Sequence, residues 1–128
     1  RDSSISIAKE LDKEASKLGK VQPILIQVKL SQEETKHGIR EDDLWGLVNF
    51  IAQSANLSLQ GLMTLPPYFE DPEGSRPYFR RLADIRKTIQ EKGIALPHLS
   101  MGMSHDCEVA IEEGATFIRV GTAIFGER

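Results

Sequence analysis

The sequence predicts an α/β protein built on a parallel sheet, and three observations carry that prediction. Helical and strand-like apolar patterns alternate along the chain. The strand-like runs are short and nearly continuous in apolar character, as in parallel strands. Each is separated from the next by a helix-length segment, too long for a hairpin and suited to a right-handed crossover.

The elements follow in order. Ile5, Ala8, Leu11, Ala15 and Leu18 recur at helical spacing after a Ser/Asp cap candidate, and Gly19 supplies a stop. Ile24–Leu30 is β-branched and almost wholly apolar, the pattern of a strand covered on both faces. Leu44, Leu47, Val48, Ile51, Ala52 and Ala55 form a second helical stripe, with Glu41, Asp42 and Asp43 at its positive end. Leu59–Leu65 reads as the next strand, closed by Pro66-Pro67, and the stretch from Tyr68 to Pro77 reads as a loop. Tyr78, Leu82, Ile85 and Ile89 give a third helix, ended by Gly93; His98–Met103 is a strand, Ser104–Glu113 a short helix, and Thr116–Val120 the last strand. Four strands separated by helices fit an open doubly wound sheet or part of a closed eightfold barrel, and the alternation alone leaves both open.

Composition narrows the function classes. A chain of 128 residues that is 40% hydrophobic and 27% charged can bury a core. A net charge of −3, with no basic tract, argues against a nucleic-acid or anionic membrane partner. No apolar run is long enough to span a bilayer as a helix. The single cysteine, Cys107, excludes an intrachain disulfide and fits a reducing, cytoplasmic setting. Arg1-Asp2-Ser3-Ser4 shows neither an initiator methionine nor a targeting pattern, so the chain is expected to start inside a longer protein.

Candidate chemistry gathers at the ends of the last two strands. Ser104 sits where a strand gives way to a helix, either as an N-cap or as a phosphate ligand. Arg119 shares a strand face with Phe117, opposite Ile118 and Val120, so its guanidinium is expected inside a barrel or crevice. There it needs a buried carboxylate or a ligand atom. Gly121-Thr122 turns the last strand toward a following segment, where free backbone N–H groups make an anion site. No Walker lysine motif or full Gly-x-Gly-x-x-Gly is present. His98, His105, Asp106 and Cys107 match no metal-ligand spacing, so no metal is expected; Lys36 and His37 read as solvated loop residues.

The segment Leu99-Ser-Met-Gly-Met-Ser-His-Asp106, with Ala110-Ile111, Gly114 and Phe117-Ile-Arg-Val-Gly-Thr-Ala-Ile-Phe-Gly126, closely resembles the pyridoxal phosphate homeostasis proteins. Their barrel is like the N-terminal domain of alanine racemase. Ile26-Gln-Val-Lys-Leu-Ser, Glu34-Thr-Lys-His-Gly-Ile39 and Leu59-Gln-Gly-Leu-Met-Thr64 extend the likeness over nearly the whole chain. The resemblance implies that residues 1–128 form the C-terminal half of a TIM-type (β/α)8 barrel, about four βα units corresponding to strands 5–8. It implies pyridoxal 5'-phosphate (PLP) as cofactor, with Ser104, Gly121 and Thr122 at the phosphate, Arg119 facing the pyridine nitrogen and Met63 lining the ring. The family's Schiff-base lysine lies on an N-terminal strand with no counterpart here, so no catalytic residue is assigned and binding is expected to be weak and noncovalent. The implied role is intracellular carriage of PLP, with PLP-dependent apoenzymes as recipients, in proteins that are monomeric at full length. Two further readings stand beside it: an alanine-racemase-like or phosphosugar-type enzyme using the same phosphate cup, and a half-barrel interaction module that dimerises over its open sheet.

Overall fold

The computed structural model describes residues 3–32 and 38–120. They form α1 (Ser3–Lys17), β1 (Gln22–Lys29), β2 (Ile39–Arg40), α2 (Glu41–Gln53), β3 (Leu57–Met63), a 3-10 turn (Pro72–Ser75), α3 (Arg76–Glu91), β4 (His98–Met103), a second 3-10 turn (Ser104–Asp106), α4 (Cys107–Glu112) and β5 (Phe117–Arg119). Every strand pairing is parallel, in the order β2-β1-β3-β4-β5. The α/β alternation and the parallel sheet are therefore as the sequence predicts. None of the helices among the described residues is long and apolar enough to cross a membrane.

The corrections are local. Five described strands replace four, because β2 pairs only Val28 with Ile39 and Lys29 with Arg40. A two-residue strand leaves no periodicity to read. β3 starts and ends two residues before the expected span, and β5 keeps only three residues. The expected loop contains the first 3-10 turn, with Pro72 at its start and the Asp71 carboxylate accepting the Glu73 N–H at 3.0 Å. The helix expected from Ser104 is split into a 3-10 turn and α4.

Register explains how the sheet sorts its side chains. Ile26, Leu62 and Leu99 lie side by side across β1, β3 and β4 and are 3%, 0% and 0% exposed. They belong to one buried cluster with residues of all four helices, among them Ala8, Val48, Phe79 and Ala110. The next row, Gln27, Met63, Ser100 and Phe117, points to the other side because strand side chains alternate. That side is mostly open: Leu25, Met103 and Phe117 are 38%, 47% and 48% exposed, while Ser100 in the middle of the row is 7% exposed. The expectation that the first strand is covered on both faces is corrected, since the helices cover only the face of Ile26 and Val28.

Helix stripes follow the same logic. In α2, Leu44, Leu47, Val48 and Ile51 are buried, while Ala52 and Ala55 are exposed, the latter beyond the helix end. In α3 the buried residue of the first turn is Phe79 and not Tyr78. Both fit the spacing to Leu82, and the larger apolar ring takes the core. In α1 the small Ala8 and Ala15 are buried, while Leu11 and, just past the helix end, Leu18 remain exposed. At the end of β4, Gly102 has φ +99, and a Cβ there would come within 2.5 Å of the Ala110 Cβ. Glycine thus lets α4 rest directly on the β4 backbone and sets where the Ser104 turn leaves the sheet.

Candidate functional site

The C-terminal ends of β4 and β5 bring Ser104 and Arg119 together. Met103 is the register partner of Arg119, and Ser104 follows Met103. The Ser104 hydroxyl is exposed and makes no cap. Instead the Asp106 carboxylate accepts the Met103 N–H at 2.8 Å. The N-cap reading of Ser104 is corrected: the turn starts one residue earlier, with Met103 at the cap position, and Asp106 at the third turn position reaches back to the Met103 N–H as in a capping box, so Ser104 is the first turn residue.

Arg119 is also corrected in one respect. It is exposed on the open face, and it forms no ion pair among the described residues. No desolvated charge has to be compensated there, because nothing described covers that end of β5. Beside it, Phe117 packs on the His98 ring with centroids 4.6 Å apart. His98 Nδ1 lies 3.1 Å from the Thr116 hydroxyl, which accepts the Leu99 N–H at 3.0 Å. These bonds join β4 to β5 and keep their ends level. Met63 sits in the adjacent row, between Gln27 and Ser100, so it lines the same face. Gly121, Thr122, Lys36 and His37 lie outside the described residues.

The residues weighed and set aside as metal ligands lie in other surroundings. His105 Nε2 donates to the Phe69 carbonyl at 2.7 Å, and its ring stacks on Tyr68. Cys107 is half-buried in a cavity of about 230 Å3 with Pro72 and Ser104 to Val109. Among the described residues no three His, Cys, Asp or Glu side chains are grouped as a metal site.

Behind the site, an ion cluster ties α3 to α4. Arg76 bonds Glu73, Glu112 and Glu113 at 2.7, 2.6 and 2.7 Å, and Arg80 bonds Glu113 at 2.8 Å. Hydrogen bonds from Arg80 and then Arg76 hold the Glu113 carboxyl below the usual carboxylate range, and the Arg76 bond does the same to Glu73. The three carboxylates in turn raise the Arg76 guanidinium. Sequence reasoning misses this cluster because its partners are 36 and 37 residues apart. It misses His105 for the same reason, although Asp106 at the third position of the turn was a readable capping signal.

At the other edge of the sheet, α1 and β1 enclose an apolar groove of about 500 Å3 lined by Ile7, Leu11, Ile24, Leu25 and Gln27 among others. It is separate from the strand ends that carry Ser104 and Arg119.

Comparison with known proteins gives a consistent picture. The sequence model of the family described as alanine racemase, N-terminal domain, matches residues 3–128. A pyridoxal phosphate homeostasis protein of Aquifex aeolicus is 52% identical over 124 residues, 96% of this chain and 54% of that protein. The human protein of the same name is 38% identical over 111 residues, 82% of this chain and 40% of its own length. The chain thus spans about half the length of the curated relatives it matches. Among solved structures, PipY of Synechococcus elongatus with PLP bound gives a TM-score of 0.85 at 32% identity, over 94% of this chain and 57% of PipY. A diaminopimelate decarboxylase of Helicobacter pylori, at 15% identity and a TM-score of 0.74, shares the fold alone.

Proposed function

The chain belongs to the alanine racemase N-terminal-domain family, and from that premise we propose that it is the strand 5–8 half of a (β/α)8 barrel that holds PLP for carriage and delivery. The recipients are PLP-dependent apoenzymes. The observation that carries this reading is Arg119: an exposed guanidinium on the open face, without an ion partner among the described residues, one strand away from Ser104. A cationic side chain and an uncapped hydroxyl at neighbouring parallel strand ends suit a small anionic aromatic ligand.

The roles divide by chemistry. Ser104 holds the phosphate by its hydroxyl, and Gly121 and Thr122 are its further phosphate ligands by the family resemblance. Arg119 donates to the pyridine nitrogen, and Met63 lies along the ring. When bound, the cofactor supplies a reactive aldehyde and a ring that accepts electron density. An always-charged guanidinium keeps a proton off the ring nitrogen and so weakens that acceptance. This favours holding and release over carbanion chemistry, in agreement with relatives that are named as homeostasis proteins.

Residues 1–128 by themselves bind PLP noncovalently in this reading, since none of their lysines matches the Schiff-base lysine of the family resemblance. Equilibrium dialysis with PLP tests it. Saturable binding that washes out is expected, and Arg119→Met is expected to weaken it about tenfold or more, the loss of one charge-assisted hydrogen bond. PLP retained after exhaustive dialysis contradicts noncovalent holding, and steady racemisation of alanine contradicts the carrier role.

A further inference from the structure

We infer that His105 is a positioning residue for the phosphate turn, acting through Ser104; this rests on the PLP reading above. The 3-10 turn that carries Ser104 is three residues long and mostly exposed, so it needs outside tethers to hold one geometry. On its sheet side the tether is Asp106, bound to the Met103 N–H. On its outer side it is His105. Its Nε2 lies 2.7 Å from the Phe69 carbonyl, and its ring stacks on Tyr68 with centroids 4.9 Å apart and planes at 28°. A carbonyl only accepts, so Nε2 carries the proton and the imidazole acts here as a donor.

The far end of this tether is itself anchored. The Phe69 ring stacks on Tyr78 of α3 at 5.9 Å and lies against Gly74, where a Cβ would collide with it. Ser104 is therefore held between the sheet on one side and, through His105 and the segment after β3, α3 on the other. A preorganised donor loses less ordering entropy when an anion binds. His105 thus makes phosphate affinity depend on the loop after β3 without touching the phosphate.

Calorimetric titration of the purified chain with PLP, with pyridoxal and with inorganic phosphate separates the possibilities. His105→Ala is expected to raise the Kd for PLP and for phosphate about five- to tenfold, the worth of one lost hydrogen bond, and to leave pyridoxal binding unchanged. His105→Gln, which keeps an N–H donor, is expected to recover most of the affinity, so a general folding defect is told apart from lost positioning. Equal weakening of PLP and pyridoxal by His105→Ala overturns the inference, as does failure of the Gln variant to recover. If Ser104→Ala weakens PLP binding and His105→Ala does not, the inference falls and the PLP reading survives. If the unsubstituted chain binds PLP no better than pyridoxal, both fall.

Discussion

The two faces of the sheet come from the same five strands and differ in what covers them. Ile26, Leu62 and Leu99 are sealed under helices, whereas Gln27 and Met63, one residue further along β1 and β3, share the other face with Phe117 of β5, with Arg119 beyond; Ser100, which follows Leu99, is buried between them. The sealed face supplies stability through burial, about 1.5–3 kcal/mol for each fully buried large apolar side chain. The open face carries the residues that stability does not require, and the candidate site lies at its strand ends.

The sharpest way to break this division is to compare aromatic truncations on either face. Phe79→Ala, in the sealed core, is expected to cost about 3–5 kcal/mol in urea unfolding, and Phe117→Ala about 1 kcal/mol or less. Equal losses would mean that the open face is part of the core. Next in size is Gly102→Ala, which forces a positive φ on a residue with a Cβ and pushes on Ala110. About 2 kcal/mol or more is expected, and a neutral result would show that α4 does not rest on β4 as described.

A smaller effect is expected at the ion cluster. Glu113 and Glu73 have lowered carboxyl pKa values when folded, so their stabilisation is present above the ordinary carboxylate value and fades as pH falls through it toward the folded values. Glu113→Gln should therefore melt below the unsubstituted chain at pH 7, and the gap should begin to close only below about pH 4.3 and vanish once the pH has fallen through the lowered folded value. A gap that persists in acid would assign the loss to packing. The smallest stability change belongs to Arg119→Met, whose melting temperature should match that of the unsubstituted chain while PLP binding weakens.

The same contrast explains what could be read from the sequence. The alternation of helices and parallel strands was legible because each helix stripe and apolar run is local. Arg119 stood out because a guanidinium on a strand face calls for a partner, whereas Ser104 also read as an N-cap and took its site role from the family resemblance. The open face was less legible: Ile24–Leu30 reads as buried on both sides, although Gln27 and Lys29, two residues apart on Leu25's side, already marked the uncovered one. β2, the His105 tether and the Arg76 cluster were not legible. One is too short to show a period, and the others join residues more than thirty positions apart. Pairing over such distances is set by the fold and leaves no local pattern.

The central claim is that the strand ends of β4 and β5, rather than the groove beside α1, receive PLP. Backbone amide chemical-shift mapping of the chain titrated with PLP tests it most directly. The largest shifts are expected at Met103, Ser104 and Arg119, with smaller ones at Met63 on the same face. Shifts centred on Ile7, Leu11 and Leu25, with the Ser104 and Arg119 signals unmoved, would contradict it.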